Sequence, residues 1–158
     1  GTTGIQANDL LFRKLMRDQG ATARVVFAEV AATAKALAAS NRPELQAIAK
    51  RLGEALQAWV KATEWLAANA KTGLSGALTA AVPYLHLAVT VCGGWFMGKA
   101  ALVAAGYLDK GEGEQNFYRA KIATAHFYAD QMLPQAAAYG ETVRAGDTAL
   151  AGLGDEVF

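Results

Sequence analysis

The stretch that decides the fold is residues 41–73, NRPELQAIAKRLGEALQAWVKATEWLAANAKTG. Asn41 can cap a helix, Pro43 fits its first turn, and Glu44 completes a capping box. Apolar positions then recur at spacings of three and four, which is the period of an amphipathic helix: Leu45, Ile48, Ala49, Leu52, Leu56, Trp59, Val60, Thr63 and Leu66. Polar residues fill the opposite face, and Gly73 ends the segment. This pattern predicts a long helix with one buried stripe.

Four further helical segments surround this one. They are predicted at about residues 4–18, 21–39, 75–108 and 114–144. Pro83 lies in the first turns of the fourth segment or marks a kink in it, and Pro134 is expected to kink the fifth. Because short loops join long helices, neighbouring helices should pack antiparallel. The sequence therefore predicts an all-α fold, an antiparallel four-helix bundle preceded by one extra helix.

Length, charge and cysteine content narrow the class of protein. The 158 residues suffice for one domain, and a net charge of +1 with no run of Lys or Arg gives no reason to expect nucleic-acid binding. The single cysteine, Cys92, cannot form an internal disulfide, which favours a reducing, cytoplasmic location. The chain begins at Gly1 without a signal sequence, so we expect a processed start or an excised fragment.

The fourth segment raises the alternative of a membrane span. Residues 77–97 carry no charge if His86 is neutral, and their number is close to the roughly 20 residues that a bilayer requires. Much of this run is Ala, Thr and Gly, however, and it contains Pro83. We therefore favour a central buried helix over a membrane span. In that arrangement Gly93, Gly94 and Gly98 give neighbouring helices room to approach.

Few side chains form a pattern that carries chemistry. His86 and His126 lack the Glu-x-x-His spacing of a di-metal bundle, so we predict no metal site. Cys92 has no basic neighbour in sequence and is predicted to be a small core residue. We predict no catalytic residue in the chain. Four aromatic residues are interpreted as core or interface, or alternatively as the lining of a ligand pocket: Phe117, Tyr118, Phe127 and Tyr128.

The opening of the chain, residues 1–6 with the sequence GTTGIQ, is the most informative motif for function. Small residues directly before a helix leave backbone N–H groups free, and with the helix dipole they favour a phosphate or another anion. The motif also resembles the Glu-Gly-Thr-x-x-Ile-Gln segment of the acyl-CoA dehydrogenase family. In many members of that family the glutamate removes the α-proton of the acyl thioester while a hydride passes to FAD.

Other segments resemble the extra C-terminal domain of the longer members of this family, including those acting on methylthio-substituted acyl-CoA. The resemblance is carried by residues 93–97 (GGWFM), 117–128 (FYRAKIATAHFY), 133–136 (LPQA) and 154–158 (GDEVF). It implies that residues 1–20 form the last helix of the catalytic body. Residues 21–158 would then be the C-terminal helical bundle domain.

The resemblance also implies roles for the first residues. Gly1 would adjoin the acyl-CoA substrate, and Thr2, Thr3 and Gly4 would adjoin FAD. Gly4 departs from the glutamine that the family often has there. The catalytic glutamate would directly precede Gly1 and is absent from the chain.

The function implied by the resemblance is that of a C-terminal fragment of an FAD-dependent acyl-CoA dehydrogenase. The fragment would be structural, inactive alone and without bound FAD. Its partners would be the rest of the dehydrogenase and the sister subunit, and the intact enzyme would use acyl-CoA and an electron-transfer acceptor. Two alternatives are a stand-alone helical bundle that binds a small apolar ligand or a partner helix, and a membrane-associated protein anchored by the fourth helix.

Overall fold

The computed structural model describes residues 2–69 and 74–148, and these are helical throughout apart from short connections. The elements are α1 (Thr3–Asn8), a π-helical segment (Asp9–Leu15), α2 (Ala21–Ala38), α3 (Pro43–Asn69), α4 (Leu74–Lys110), α5 (Gln115–Gln131) and α6 (Gln135–Ala145). No strand occurs in the described ranges. The predicted all-α fold, a helical bundle, is confirmed.

Helices α3 and α4 form the centre of the bundle and run antiparallel. At one end, Arg42 Nη2 lies 2.7 Å from Asp109 Oδ1, which joins the start of α3 to the end of α4. Farther along, the hydroxyls of Thr63 and Tyr84 are 2.9 Å apart, late in α3 and early in α4.

Helix α2 packs against both members of this central pair. The ring of Phe27 meets that of Trp59 edge-on at 4.9 Å. Farther along α2, Leu37 lies beside Gly98 together with Leu52 of α3, so α2 runs antiparallel to α3. Trp95 in α4 donates a hydrogen bond from Nε1 to Thr33 Oγ1 over 2.8 Å. The bond links the second halves of α2 and α4.

The predicted fifth helix is two helices. Helix α5 ends at Gln131 and α6 begins at Gln135, directly after Pro134. A proline has no N–H to donate and its ring clashes with the preceding turn, so the expected kink is a break. Both α5 and α6 pack on the α3–α4 pair and complete a bundle with α2.

Glycines set how closely these helices approach α4. A Cβ added at Gly93 would clash with the hydroxyl of Tyr128, and at Gly94 it would lie 2.6 Å from Leu133 Cδ2. At Gly98 it would lie 2.9 Å from Leu37 Cδ1 of α2. The prediction that these three glycines make room for neighbouring helices is confirmed.

The buried stripe predicted for α3 is confirmed with one exception. Its members are buried except Val60, which is half-buried. The start of α3 differs from the prediction, because the helix begins at Pro43 and the Arg42 carbonyl accepts its first hydrogen bond. Ser40, rather than Asn41, supports the preceding turn by accepting a 3.2 Å hydrogen bond from the Arg42 N–H.

The first predicted helix is shorter and more irregular than expected. After α1, the N–H of Met16 bonds to the Leu11 carbonyl over 2.9 Å, the i→i−5 pattern of a π-helix. A turn follows Leu15, so the helix does not extend to Asp18. Ala7, Leu11 and Leu15 are buried, and the segment packs on α4 and α2.

Helix α4 is long and apolar enough to cross a membrane by length and composition, with a mean hydropathy of 1.5. Within the bundle it contacts every other described helix and the π-helical segment. These contacts explain the apolar residues on its inner faces. Less than half of its most apolar stretch is buried, however, so the predicted central buried helix is wrong for the outer face, where Val89 and Phe96 are exposed.

Candidate functional site

The predicted flavin-binding residues lie at the start of α1. Thr2 is the N-cap residue, with extended backbone angles and no side-chain capping bond. The first intrahelical hydrogen bond runs from the Gln6 N–H to the Thr2 carbonyl over 3.0 Å, so the amides of Thr3, Gly4 and Ile5 precede it. Gly1, the predicted substrate contact, lies outside the described residues, as does the ending at residues 154–158.

The local environment of this opening fits a polar or anionic group of FAD. Thr2, Thr3 and Gly4 are exposed, and the first turn of α1 carries no carboxylate that would repel an anion. A Cβ added at Gly4 would meet no atom within 4 Å. The two hydroxyls and the backbone amides that precede the first hydrogen bond of α1 are therefore chemically compatible with such a group.

A cleft of about 340 Å³ lies between the π-helical segment, α2 and α4. Leu10 and Leu15 line one wall, Ala23 and Val26 of α2 the second, and the third is α4. The α4 residues of this wall are Tyr84, Leu85, Ala88, Val89 and Cys92. The surface is almost entirely apolar, so the cleft suits an alkyl chain or a small hydrocarbon better than a charged group.

Two charged residues border the cleft, and each is already paired with a neighbouring side chain. Lys14 Nζ lies 3.4 Å from Asp9 Oδ2. Asp18 accepts hydrogen bonds from the Thr22 hydroxyl at 2.5 Å and the Thr22 N–H at 2.9 Å. The Thr22 hydroxyl and the backbone amides around it hold the pKa of Asp18 below its ordinary value of 3.8. Asp18 therefore fastens the start of α2 rather than acting as a proton acceptor.

A buried polar pair lies behind the cleft. Thr63 donates its hydroxyl to the Trp59 carbonyl over 2.8 Å, so the 2.9 Å contact with Tyr84 is donated by the tyrosine. Burial raises the pKa of Tyr84 above its ordinary value of 10.0, and the bond to Thr63 opposes this effect. Trp59 Nε1, also buried, has no hydrogen-bond partner among the described residues.

The contacts of Cys92, His86 and His126 favour roles in packing rather than in chemistry. Burial raises the pKa of the Cys92 thiol above its ordinary value of 9.0, which disfavours the reactive thiolate. The ring of His86 packs edge-on against Tyr139 at 5.5 Å. His126 Nε2 lies 3.4 Å from Asp130 Oδ2. Within residues 2–69 and 74–148, no three His, Cys, Asp or Glu side chains are grouped as a metal site.

The four aromatic residues considered as a pocket lining do not meet at one site. Phe117 and Tyr118 contact each other edge-on at 5.5 Å and line a shallow cleft of about 310 Å³ beside α4, whereas Phe127 and Tyr128 do not line it. Phe117 and Phe127 are exposed. Tyr118 stacks on Tyr107 with ring centroids 4.7 Å apart, and Tyr128 donates a 3.1 Å hydrogen bond to the Thr90 carbonyl. The two tyrosines join α5 to α4 and support the interface interpretation.

Sequence analysis missed both the cleft and the buried pair behind it. Thr63 lies on the predicted stripe of α3, which was the available signal. The direction of Tyr84 could not be assigned because α4 is apolar all round. The π-helical register that places Leu10 over the cleft has no sequence signature that we recognise.

The family match and the two similar proteins described below agree on one family. Residues 26–153 match the family described as acetyl-CoA dehydrogenase C-terminal like. The chain is 41% identical over 151 residues to the 3-methylmercaptopropionyl-CoA dehydrogenase of Ruegeria pomeroyi, which covers 95% of this chain and 25% of that protein. It is 30% identical over 164 residues to the broad-specificity linear acyl-CoA dehydrogenase FadE5 of Mycobacterium tuberculosis, over 100% of this chain and 27% of that protein.

The chain thus spans about a quarter of the length of the curated relatives it matches. The family match covers most of the bundle, from α2 to beyond α6. The chain therefore belongs to the acetyl-CoA dehydrogenase C-terminal-like family and corresponds to the C-terminal region of an acyl-CoA dehydrogenase.

Proposed function

We propose that the chain is the C-terminal accessory domain of an FAD-dependent oxidoreductase that introduces a double bond between the α and β carbons of an acyl-CoA. The observation that carries the proposal is the 41% identity to a dehydrogenase of an acyl-CoA over 95% of the chain. Both relatives are named as dehydrogenases of acyl-CoA compounds, which supports the same substrate class for the intact protein.

The bundle supports the reaction and does not carry it out. The acidic and phenolic groups at the cleft are already bonded, as Asp18 is to Thr22 and Tyr84 is to Thr63, and burial raises the pKa of the Cys92 thiol. A general base must be free to accept a proton from the substrate within hydrogen-bonding reach. We infer that the base is a glutamate directly before Gly1 in the intact enzyme, and that the chain alone is inactive.

FAD bound to the intact enzyme would supply the acceptor for the hydride of the β-carbon. Thr2 and Thr3, which are exposed, would offer their hydroxyls to the flavin, and the amides at the start of α1 would offer hydrogen bonds. Gly4 leaves open space beside them. Gly1 would lie against the thioester. The buried residues Leu11 and Leu15 hold this segment on the bundle, so α1 links the reacting groups to the accessory domain.

The same proposal includes the surroundings of the intact enzyme. Its partners would be the rest of the dehydrogenase, a sister subunit and an electron-transfer acceptor, and it would act in fatty acid metabolism in the cytoplasm. Cys92 is the single cysteine of the chain and cannot form an internal disulfide, which supports a reducing compartment.

The test compares the intact gene product with the 158-residue chain. We expect the intact protein to purify with FAD and to reduce an artificial electron acceptor when given a short- or medium-chain acyl-CoA. Replacement of the glutamate before Gly1 by glutamine should abolish turnover and leave flavin content unchanged. The proposal would be wrong if the intact protein held no flavin, or if the isolated chain turned over acyl-CoA.

A second candidate function is favoured by the cleft of about 340 Å³, which would hold a small apolar ligand. Ala23 is a half-buried lining residue, so Ala23→Phe should fill the cleft without displacing a core side chain. Medium-chain alcohols should raise the melting temperature of the wild-type chain and have less effect on the variant. Equal shifts for both proteins would reject the cleft as their binding site.

A further inference from the structure

A hydrogen-bond donor without a partner belongs to the wall of the apolar cleft between the π-helical segment, α2 and α4. Trp59 is the residue of α3 that lines this cleft. Its side chain is only 6% exposed, and Nε1 has no hydrogen-bond partner among the described residues. A buried donor that makes no bond costs free energy, so the indole N–H favours a ligand that brings an acceptor.

The polar groups around Trp59 do not satisfy this donor. The Thr63 hydroxyl donates to the Trp59 carbonyl over 2.8 Å, and the Tyr84 hydroxyl lies 2.9 Å from the Thr63 hydroxyl. Burial raises the pKa of Tyr84, and the nearby side chains of Thr63 and Trp59 oppose that rise. The indole N–H is thus close to the phenol oxygen, yet the two do not meet in hydrogen-bond geometry.

The indole ring is held from the side of α2 that lies away from the cleft. The ring of Phe27 packs edge-on against it with centroids 4.9 Å apart, and Phe27 is not a lining residue of the cleft. Another part of the Trp59 ring therefore faces the cleft. Because packing fixes the ring, the donor is oriented before any ligand arrives, which lowers the entropy that binding costs.

The charges at the cleft exclude an ionised ligand. Lys14 is paired with Asp9, and the carboxylate of Asp18 is held by Thr22. The α4 wall is made of uncharged residues, namely Tyr84, Leu85, Ala88, Val89 and Cys92. A charged group placed against this wall would lose its hydration without gaining a partner. The ligand is therefore an uncharged compound.

The volume of the cleft sets the size of the ligand. An apolar cavity of about 150 Å³ is large enough to bind benzene. The cleft has about 340 Å³, and part of its surface is open to solvent. On the same scale it holds an alkyl compound of roughly seven to twelve carbon atoms.

We propose that the cleft binds an uncharged alkyl compound of this size through a carbonyl or hydroxyl oxygen that accepts a hydrogen bond from Trp59 Nε1. The alkyl part lies against Leu10, Val26 and Ala88. This proposal rests on the second candidate function, a small apolar ligand in the cleft, and it adds the chemical class of that ligand and the group that recognises it. Neither flavin nor acyl-CoA turnover enters its test.

Cys92 provides a direct measure of occupancy, because it lines the cleft and is the single cysteine of the chain. A bound ligand should slow the reaction of its thiol with methyl methanethiosulfonate, followed by mass spectrometry. The concentration dependence of this protection gives a dissociation constant. Methyl pentyl ketone and heptane have the same number of carbon atoms and differ in the acceptor. Both should protect Cys92, whereas heptanoate, which is charged, should not.

The Ala23→Phe variant is the control for the site. Its added ring should fill the cleft, so neither compound should change the rate at which Cys92 reacts in this variant. Protection that persists in Ala23→Phe would place both compounds elsewhere on the chain and overturn the proposal.

Trp59→Phe removes the donor and keeps an aromatic ring beside Phe27. Since the smaller ring also enlarges the cleft, the quantity compared is the ratio of the dissociation constants of the ketone and heptane. That ratio should rise about three- to tenfold, which corresponds to the loss of one hydrogen bond. Trp65→Phe is the matched control, because Trp65 is a half-buried residue of the same helix that does not line the cleft. It should leave the ratio unchanged.

Nuclear magnetic resonance of the wild-type chain tests the same bond without a substitution. The indole N–H proton of Trp59 should move downfield when the ketone saturates the cleft, and heptane should not produce this shift. The indole of Trp95 is the internal reference, because its N–H already donates to Thr33 over 2.8 Å. Its resonance should stay in place with both compounds.

The outcomes separate this proposal from the function on which it rests. Protection of Cys92 by both compounds, with no shift of the Trp59 resonance and no change of the ratio in Trp59→Phe, would overturn the bond to Trp59 and leave an apolar ligand as the occupant. No protection by either compound would reject the ligand function and the proposal together. A Trp59 N–H that contacts a long-lived water while the ketone is bound would show that solvent satisfies the donor, which also overturns the proposal.

Discussion

Glycine positions in α4 differ sharply in how much space their neighbours leave for a side chain. Gly94 faces Leu133, which is buried and offers three side-chain carbons within 3.1 Å of an added Cβ. Gly106, in the same helix, faces open space. The same residue type therefore serves close packing at one position and only weakens the helix at the other.

Gly94→Ala should lower the free energy of unfolding by about 1–3 kcal/mol, because the added methyl overpacks the contact with Leu133 in the turn before α6. Gly106→Ala should raise it by up to about 1 kcal/mol through helix propensity. Urea unfolding of both variants measures the difference. Similar effects of the two substitutions would contradict the close approach at Gly94.

The two partners of the buried Thr63–Tyr84 hydrogen bond should differ in how much their replacement lowers the free energy of unfolding. Thr63→Val removes the acceptor and leaves the buried Tyr84 hydroxyl unpaired, which should cost about 1–3 kcal/mol. Tyr84→Phe leaves Thr63 bonded to the Trp59 carbonyl and should cost about 0.5–1.5 kcal/mol. Denaturant unfolding compares the two. A larger loss for Tyr84→Phe would contradict the expectation that a buried hydroxyl left unpaired costs more than a hydrogen bond that is removed with its donor.

Whole helices here begin and end for reasons that are local. Pro134 separates α5 from α6, and Gly20 takes a left-handed conformation with φ 79° before α2. Asp18 fastens the first turn of α2 through the N–H of Thr22 and also accepts from the N–H of Gly20. An ionised carboxylate near a helix N-terminus is favoured by the helix dipole as well.

Asp18→Ala should therefore loosen the start of α2. The Thr22 amide should exchange faster with solvent, whereas amides in the middle of α3 should be unchanged. In the wild type the pKa of Asp18 is lowered by folding, so its contribution is present above 3.8 and is lost as pH falls through the folded-state pKa. Amide exchange at Thr22 as a function of pH, corrected for intrinsic rates, measures this. An acid response that persists in Asp18→Ala would assign it to another group.

The molecule as a whole is organised around α4. That helix contacts α1, the π-helical segment and all the other described helices, and it also leaves Val89 and Phe96 exposed. The domain boundary at residue 20 stays a prediction. The structure shows that Ala7, Leu11 and Leu15 on the first side of that boundary are buried against the bundle.

Removal of residues 1–20 tests how far the bundle depends on this segment. The shortened chain should remain helical and unfold cooperatively, with a lower melting temperature because apolar surface of α2 and α4 becomes exposed. Leu11→Ala in the full chain should cost about 2–5 kcal/mol and reproduce part of the loss. Thermal unfolding by circular dichroism measures both. Loss of cooperative unfolding in the shortened chain would contradict a boundary at residue 20.

The sequence by itself determined the helical class, the buried stripe of α3 and the family. These depend on local periodicity and on motifs such as GTTGIQ, which a chain carries whatever it packs against. Pro134 correctly marked where the last predicted helix is interrupted. The interruption is a break between α5 and α6 rather than the predicted kink. The roles predicted for Thr2, Thr3 and Gly4 stay predictions, since they concern a cofactor held largely by other parts of the enzyme.

Only the tertiary structure decided the orientation of α4. That helix is apolar on nearly all sides, so its sequence has no dominant polar face from which burial could be assigned. The contacts of Gly93, Gly94 and Gly98 fix which side faces α2, α5 and Leu133, and they leave the side with Val89 and Phe96 exposed. The cleft and the π-helical register likewise arise from packing between segments distant in sequence, which no local pattern encodes.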